Sequence, residues 1–198
     1  MNWKESFKTQ LKALEEINVE DKHLNAAVST FIELAKNIKG TIYFTGVGKN
    51  GHVAAKVSST YNSLGIRSAF VDPVNTLHGD MGTFTKNDIV VAVSKSGTTE
   101  ELLIFIRTLE SRGFHSVVAV TSNETSELAT LAKLSIVISV NNEGDYFGDI
   151  VPLASTISYE GVLQAIAVQI AYDKRFTKEA FLKNHPGGSI GRLARKTR

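Results

Sequence analysis

The densest chemistry in this chain is Ser94-Lys95-Ser96-Gly97-Thr98-Thr99-Glu100-Glu101, four hydroxyls and two acids around one glycine, where an apolar run gives way to a helical pattern. A helix start offers N–H groups without partners and the positive end of the helix dipole, and so suits a phosphate. Gly97 lets the backbone approach the anion closely. Ser or Thr followed by early acids would also serve as an ordinary helix cap, but four hydroxyls exceed what one cap needs.

Other stretches supply groups that handle protons and anions. Gly46-Val47-Gly48-Lys49-Asn50-Gly51-His52 fits G-x-G-x-x-G, with Asp72 about twenty residues on, so a dinucleotide reading is open. A plain strand-to-helix turn needs the same glycines. Lys49 is the departure: a cation inside the turn points at an anionic ligand, and the Walker pattern is absent. His78-Gly79-Asp80-Met81-Gly82 reads as a shaped loop, and Asn141-Asn142-Glu143-Gly144-Asp145 as a polar one. Ser155 and Thr156 open a long apolar helix, where they either face a ligand or satisfy backbone. Near the end, His185-Pro186-Gly187-Gly188-Ser189-Ile190-Gly191 stops a helix before the proline and displays the histidine on a Pro-Gly-Gly turn. Two histidines in special loops, Glu101, Glu143, Lys49 and a hydroxyl cluster are parts for proton transfer on a phosphorylated substrate. No Asp/His grouping has metal-ligand spacing. The chain has no cysteine, which excludes disulfides, thiolate metal sites and a cysteine nucleophile.

These groups must be held by a scaffold. The 198 residues suit a single domain, and 42% apolar residues are ordinary for a globular protein. A net charge of +2 argues against a dedicated nucleic-acid or membrane binder. Only Arg192 to Arg198 is densely basic, and it reads as a solvated tail. The first residues lack an apolar signal core, and no run is apolar enough to span a bilayer, so the expected location is cytoplasmic.

Phe7, Leu11, Leu14 and Ile17 recur at helical spacing, as do Ala27, Val28, Phe31, Ile32, Leu34 and Ala35, so residues 1–39 form a helical lead. Strands are expected at 41–45, 68–71, 88–94, 116–121 and 135–140, with helices at 51–64, 100–112, 124–131, 152–172 and 178–183. Alternating strands and helices, with strands nearly all apolar, predict a parallel sheet covered on both faces. The fold expected is α/β, a doubly wound three-layer αβα sandwich with N-terminal helices, in which ligands sit at the carboxyl ends of the strands.

At this point the chain resembles the SIS (sugar isomerase) domain family, and within it the D-arabinose 5-phosphate isomerase branch. The resemblance covers residues 39–192 and rests on Gly-Val-Gly-Lys-Asn-Gly-His (46–52), His-Gly-Asp-Met-Gly (78–82), Ser-Lys-Ser-Gly-Thr-Thr-Glu-Glu (94–101) and His-Pro-Gly-Gly-Ser-Ile-Gly-Arg (185–192). It implies a flavodoxin-like sandwich on a five-stranded parallel sheet, with residues 40–192 as the isomerase core, commonly assembled as a homotetramer with active sites shared between subunits. It implies interconversion of D-ribulose 5-phosphate and D-arabinose 5-phosphate through an enediol, a step toward the eight-carbon acid Kdo of lipopolysaccharide or capsule. By motif, Ser94, Ser96 and Thr99 would bind the phosphate; Lys49, His78, Glu101, Glu143 and His185 would be catalytic. No cofactor or metal is implied.

Two departures stand out. Lys95 replaces the Asn or Gln frequent in the family, and would either add charge near the phosphate or face solvent. Val151-Pro152-Leu153-Ala154-Ser155-Thr156 matches the family's Ala-Pro-Thr-x-Ser-Thr only loosely. Many relatives continue into paired CBS domains, so the resemblance implies a stand-alone catalytic domain here. Rival readings are a non-catalytic sugar-phosphate or nucleotide-sugar sensor, an NAD-dependent oxidoreductase built on Gly46, Gly48, Gly51 and Asp72, and an isomerase of another ketose phosphate.

Overall fold

Residues 1–196 are described by a computed structural model. Two helices lead, α1 (Trp3–Glu15) and α2 (Lys22–Asn37), followed by β1 (Ile42–Gly46), α3 (Lys49–Ser63), β2 (Ser68–Phe70) and α4 (Pro73–Thr76). After a 3-10 turn (Asp80–Thr83) come β3 (Ile89–Val93), α5 (Glu100–Ser111), β4 (Val117–Thr121), α6 (Glu127–Leu131) and β5 (Leu134–Val137). The chain continues through α7 (Ala154–Asp173), α8 (Lys178–Lys183) and α9 (Gly188–Lys196).

The five strands form one parallel sheet in the order β2-β1-β3-β4-β5. The central strands β3 and β4 are buried at every position, as their continuous apolar runs require. Alternation along a strand sends neighbours to opposite faces. Val91 and Val93 of β3 therefore pack with α2, α3 and α7, through Phe31, Val57, Tyr61, Leu163 and Ile166. Val90 and Ala92 face the other layer, with Leu102, Phe105 and Leu109 of α5 and Leu128 of α6. Phe44 of β1 meets Tyr61 edge-on, with ring centroids 4.8 Å apart. Truncating Phe44 to Ala would cost about 3–5 kcal/mol from such a core.

The fold class is the one expected from the alternation of elements. Three local expectations change. The lead forms two helices, but α1 buries Ala13, while Phe7 and Leu11 are exposed beside Trp3. The N-terminal part of the expected stripe thus faces away from this chain's core, while Leu14 is half-buried and Ile17, past the end of α1, packs against the core; α1 itself packs on α7. The supposed basic tail is helical through Lys196: the Pro186 turn leads into α9, which packs on α8, with Arg195 Nη1 donating to the Pro186 carbonyl at 3.3 Å. Residues 197 and 198 of that expectation lie outside the described residues. Finally, β5 stops at Val137, although Ile138 and Val140 stay buried beyond it.

Candidate active site

Sheet order decides which loops meet. The chain leaves β1 for β2 on one side and returns through β3 on the other, so the switch point lies between β1 and β3. Gly46, the last residue of β1, pairs with Val93, the last of β3. The Val47-Gly48-Lys49 turn and the Ser94–Thr99 loop therefore leave the sheet side by side. A Cβ on Gly46 would lie 2.9 Å from the Asn50 backbone and 3.0 Å from the Val93 carbonyl, so this approach needs glycine.

Helix caps differ along the chain. Side chains cap α1 (Asn2), α2 (Asp21), α4 (Asp72), α6 (Ser126) and α8 (Thr177). Among the helices that start at the carboxyl edge of the sheet, α4 and α6 are capped in this way, whereas α3, α5 and α7 have no side-chain cap from their own N-cap residue. At α5, Thr99 sits at the cap position, but its hydroxyl turns to Ser94 Oγ, 3.1 Å away. Ser94 Oγ also accepts from Gly97 N at 3.2 Å, and Ser96 Oγ accepts from the Thr98 amide and hydroxyl. The hydroxyls thus pair off, Ser94 with Thr99 and Ser96 with Thr98, while the first amides of a twelve-residue helix have no cap from the N-cap side chain. An anion fits there.

Lys49, His78 and Glu101 are exposed at this same edge, on the first turn of α3, the loop after α4 and the first turn of α5. Their side chains make no hydrogen bond or ion pair with any described residue. Glu143 differs: its side chain is 1% exposed. Its Oε2 accepts from the amides of Leu153 (2.8 Å) and Ser155 (2.9 Å), which caps α7 from a distant loop. Its Oε1 meets Lys95 Nζ at 2.6 Å. Burial pushes this carboxyl up, but the Lys95 ammonium, the Ser155 hydroxyl and the two amides outweigh it and hold the group below the usual carboxylate range.

Lys95 therefore neither faces solvent alone nor simply adds charge to the loop; it pairs with Glu143. Asp72 accepts from Val74 and Asn75 N–H and caps α4, a role unlike that of a ribose ligand. Thr156 satisfies the Leu153 carbonyl at 2.7 Å. His185 is the outlier. Its Nδ1 lies 2.8 Å from the Phe181 carbonyl and its ring stacks on Phe181, while neighbouring Asn184 donates to Ser63 O. Ser63 ends α3, and a rise of about 1.5 Å per residue puts that end roughly 20 Å from Lys49. Within one chain His185 does not join the other candidates. Reasoning from sequence also missed the support beneath Lys95, whose carbonyl accepts from Thr121 Oγ1 and Ser122 N, and the Ser122–Tyr159 hydroxyl contact of 2.6 Å. The only signal for these was the position of Thr121 and Ser122 at a strand's carboxyl end.

Known proteins share this fold. Arabinose 5-phosphate isomerase KpsF of Escherichia coli O6:H1 is 34% identical over 161 residues, which is 81% of this chain and 49% of that protein. Arabinose 5-phosphate isomerase KdsD of Pseudomonas aeruginosa is 36% identical over 154 residues, 78% of this chain and 47% of that protein. The chain thus spans about half the length of these curated relatives. Among solved structures, the E. coli CFT073 protein c3406 in complex with arabinose 5-phosphate superposes with a TM-score of 0.86 at 32% identity, covering 94% of this chain and all of that one. The SIS domain family matches residues 36–170, which include the sheet, the hydroxyl loop and Glu143, and the chain belongs to that family.

Proposed function

We propose that this chain interconverts D-ribulose 5-phosphate and D-arabinose 5-phosphate in the cytoplasm, as a step toward Kdo. The observation that carries the reading is the uncapped start of α5 behind its paired hydroxyls, flanked by three unpaired titratable side chains. Ser94, Ser96, Thr99 and the α5 amides would hold the phosphate, anchoring the sugar so that C1 and C2 meet the acids and bases. A base takes a proton from C1 of the ketose, O2 gains a proton, and an enediol forms. Return of a proton to C2 with loss of the O1 proton yields the aldose. Glu101 is free to take the carbon-bound proton, whereas both Glu143 oxygens are engaged. Lys49 would stabilise the enediolate, and His78 would shuttle protons between the oxygens.

His185 enters this scheme from a neighbouring copy in a homotetramer. Two features support assembly. Ile157, Gly161, Ala165, Val168 and Tyr172 form an exposed apolar stripe along α7, and Trp3, Phe7 and Leu11 form another on α1. Incubation with D-ribulose 5-phosphate in D2O, followed by NMR, tests the reaction: arabinose 5-phosphate carrying deuterium at C2 is expected. Mixing His185→Ala with Glu101→Gln protein tests the sharing. Mixed oligomers should regain activity that neither variant has alone; no recovery despite proven mixing would place His185 outside the site.

A further inference from the structure

The Lys95–Glu143 pair buries its carboxylate at the sheet edge, and it joins the loop after β3 to the loop after β5. Lys95 leaves from a fixed backbone: its carbonyl accepts from Thr121 Oγ1 at 3.0 Å and from Ser122 N at 3.1 Å. Its side chain then reaches the carboxylate that caps α7, while the Glu143 amide donates to Asp149 Oδ1 at 2.7 Å. One lysine thus ties the hydroxyl loop after β3 to the end of β4, to the loop after β5 and, through Glu143, to the first turn of α7.

We propose that Lys95 is a positioning residue of this site, its ammonium fixing the Glu143 carboxylate, and through it the start of α7, against the phosphate loop. The consequence for catalysis rests on the isomerase reading above; the consequence for anion binding does not. A buried carboxylate beside a loop that receives a dianion would repel it at low effective dielectric. Paired with Lys95, Glu143 presents no net charge to the phosphate. Removing the lysine leaves a buried, uncompensated charge with two expected effects: weaker anion binding and a carboxyl that protonates more readily. The other groups facing Glu143 cannot replace the cation. Tyr159 on α7 is a phenol held protonated by burial, Asp149 and Asp145 in its own loop are acids, and the α1 residues nearest Gly144, Ser6, Thr9 and Gln10, carry no charge.

Calorimetric titration with inorganic phosphate separates these effects from overall loss of structure. Lys95→Met should bind phosphate at least about tenfold more weakly than the parent, and Lys95→Met/Glu143→Gln, which removes both charges, should return to within about threefold. Lys95→Arg should stay near the parent, and Lys95→Gln replaces the Met variant if that one does not fold. In the same proteins, carboxyl NMR should find Glu143 titrating at higher pH without the lysine. The acidic limb of kcat/KM for D-ribulose 5-phosphate should move up with it and be restored by Arg. Unchanged phosphate affinity, Glu143 titration and acidic limb in Lys95→Met would overturn the proposal. Failure of the isomerase reading would show separately, as parent protein that binds phosphate but turns over no ketose phosphate.

Discussion

Gly97→Ala is the sharpest test of how the loop after β3 is built. Gly97 has φ +66°, a left-handed conformation, and a Cβ there would fall 2.2 Å from Ser126 Oγ and 2.5 Å from Ser126 Cβ. The left-handed backbone costs an L-residue roughly 1–2 kcal/mol. The contact cannot be tolerated, so Ser126 must move, and with it the cap in which its Oγ accepts from Ala129 N at 3.3 Å. Losing that cap costs about 1 kcal/mol. The Gly97 carbonyl also accepts from Leu128 N at 3.0 Å, so the loop cannot retreat without straining α6. The sum is about 2–3 kcal/mol, which in a chain of this size lowers the unfolding midpoint by roughly 4–12 °C. Ser126→Gly alone should cost only a few tenths of a kcal/mol, because glycine is a fair cap. In the Gly97→Ala background it should remove the clash and leave about 1–2 kcal/mol of backbone cost. Differential scanning calorimetry of the four proteins measures each term, and phosphate titration should show binding recovering in the double variant. A Gly97→Ala protein within about 0.5 kcal/mol of the parent, or no recovery on adding Ser126→Gly, would refute the packing described for this loop.

Other outcomes follow from the same geometry. Ser94→Ala removes the hydroxyl that orders both Gly97 and Thr99, and should lower kcat/KM for the sugar phosphate about 10–100-fold, as steady-state kinetics would register. Because the folded Glu143 carboxyl lies below its ordinary value of 4.5, its stabilisation is complete above that value and lost as the pH falls through the folded one. Urea midpoints should therefore fall in this acid range, and Glu143→Gln, less stable at neutral pH, should show a flatter decline. Tyr61 is wholly buried and its hydroxyl has no hydrogen-bond partner among the described residues, so Tyr61→Phe should stabilise the protein by roughly 1 kcal/mol in chemical denaturation. Thermal midpoints should rise with protein concentration if α1 and α7 bury their apolar stripes between copies.

The amino-acid order alone determines the alternation of strands and helices, because apolar periodicity is a local property that survives without the fold. It also marks the loops after β1 and β3 as the candidate ones, since glycines and hydroxyls at strand-to-helix turns answer local backbone demands. It cannot determine where those loops stand. The pairing of Gly46 with Val93 is a choice of strand order, and that choice brings Lys49 and Ser94 to one edge. Nor does it say where a long side chain ends: Lys95 reads as solvent-facing or phosphate-facing until the loop after β5 brings Glu143 to within 2.6 Å of it. His185 shows the same limit from the other side, a residue whose motif reads as catalytic but which helix packing carries to the far end of α3. Even the apolar stripe of α1 misleads as a guide to burial, for periodicity fixes which residues share a face and not which face the rest of the chain covers. Side-chain type and spacing are set residue by residue, whereas charge pairing, site assembly and burial depend on contacts between segments distant in sequence, and only the folded chain has those.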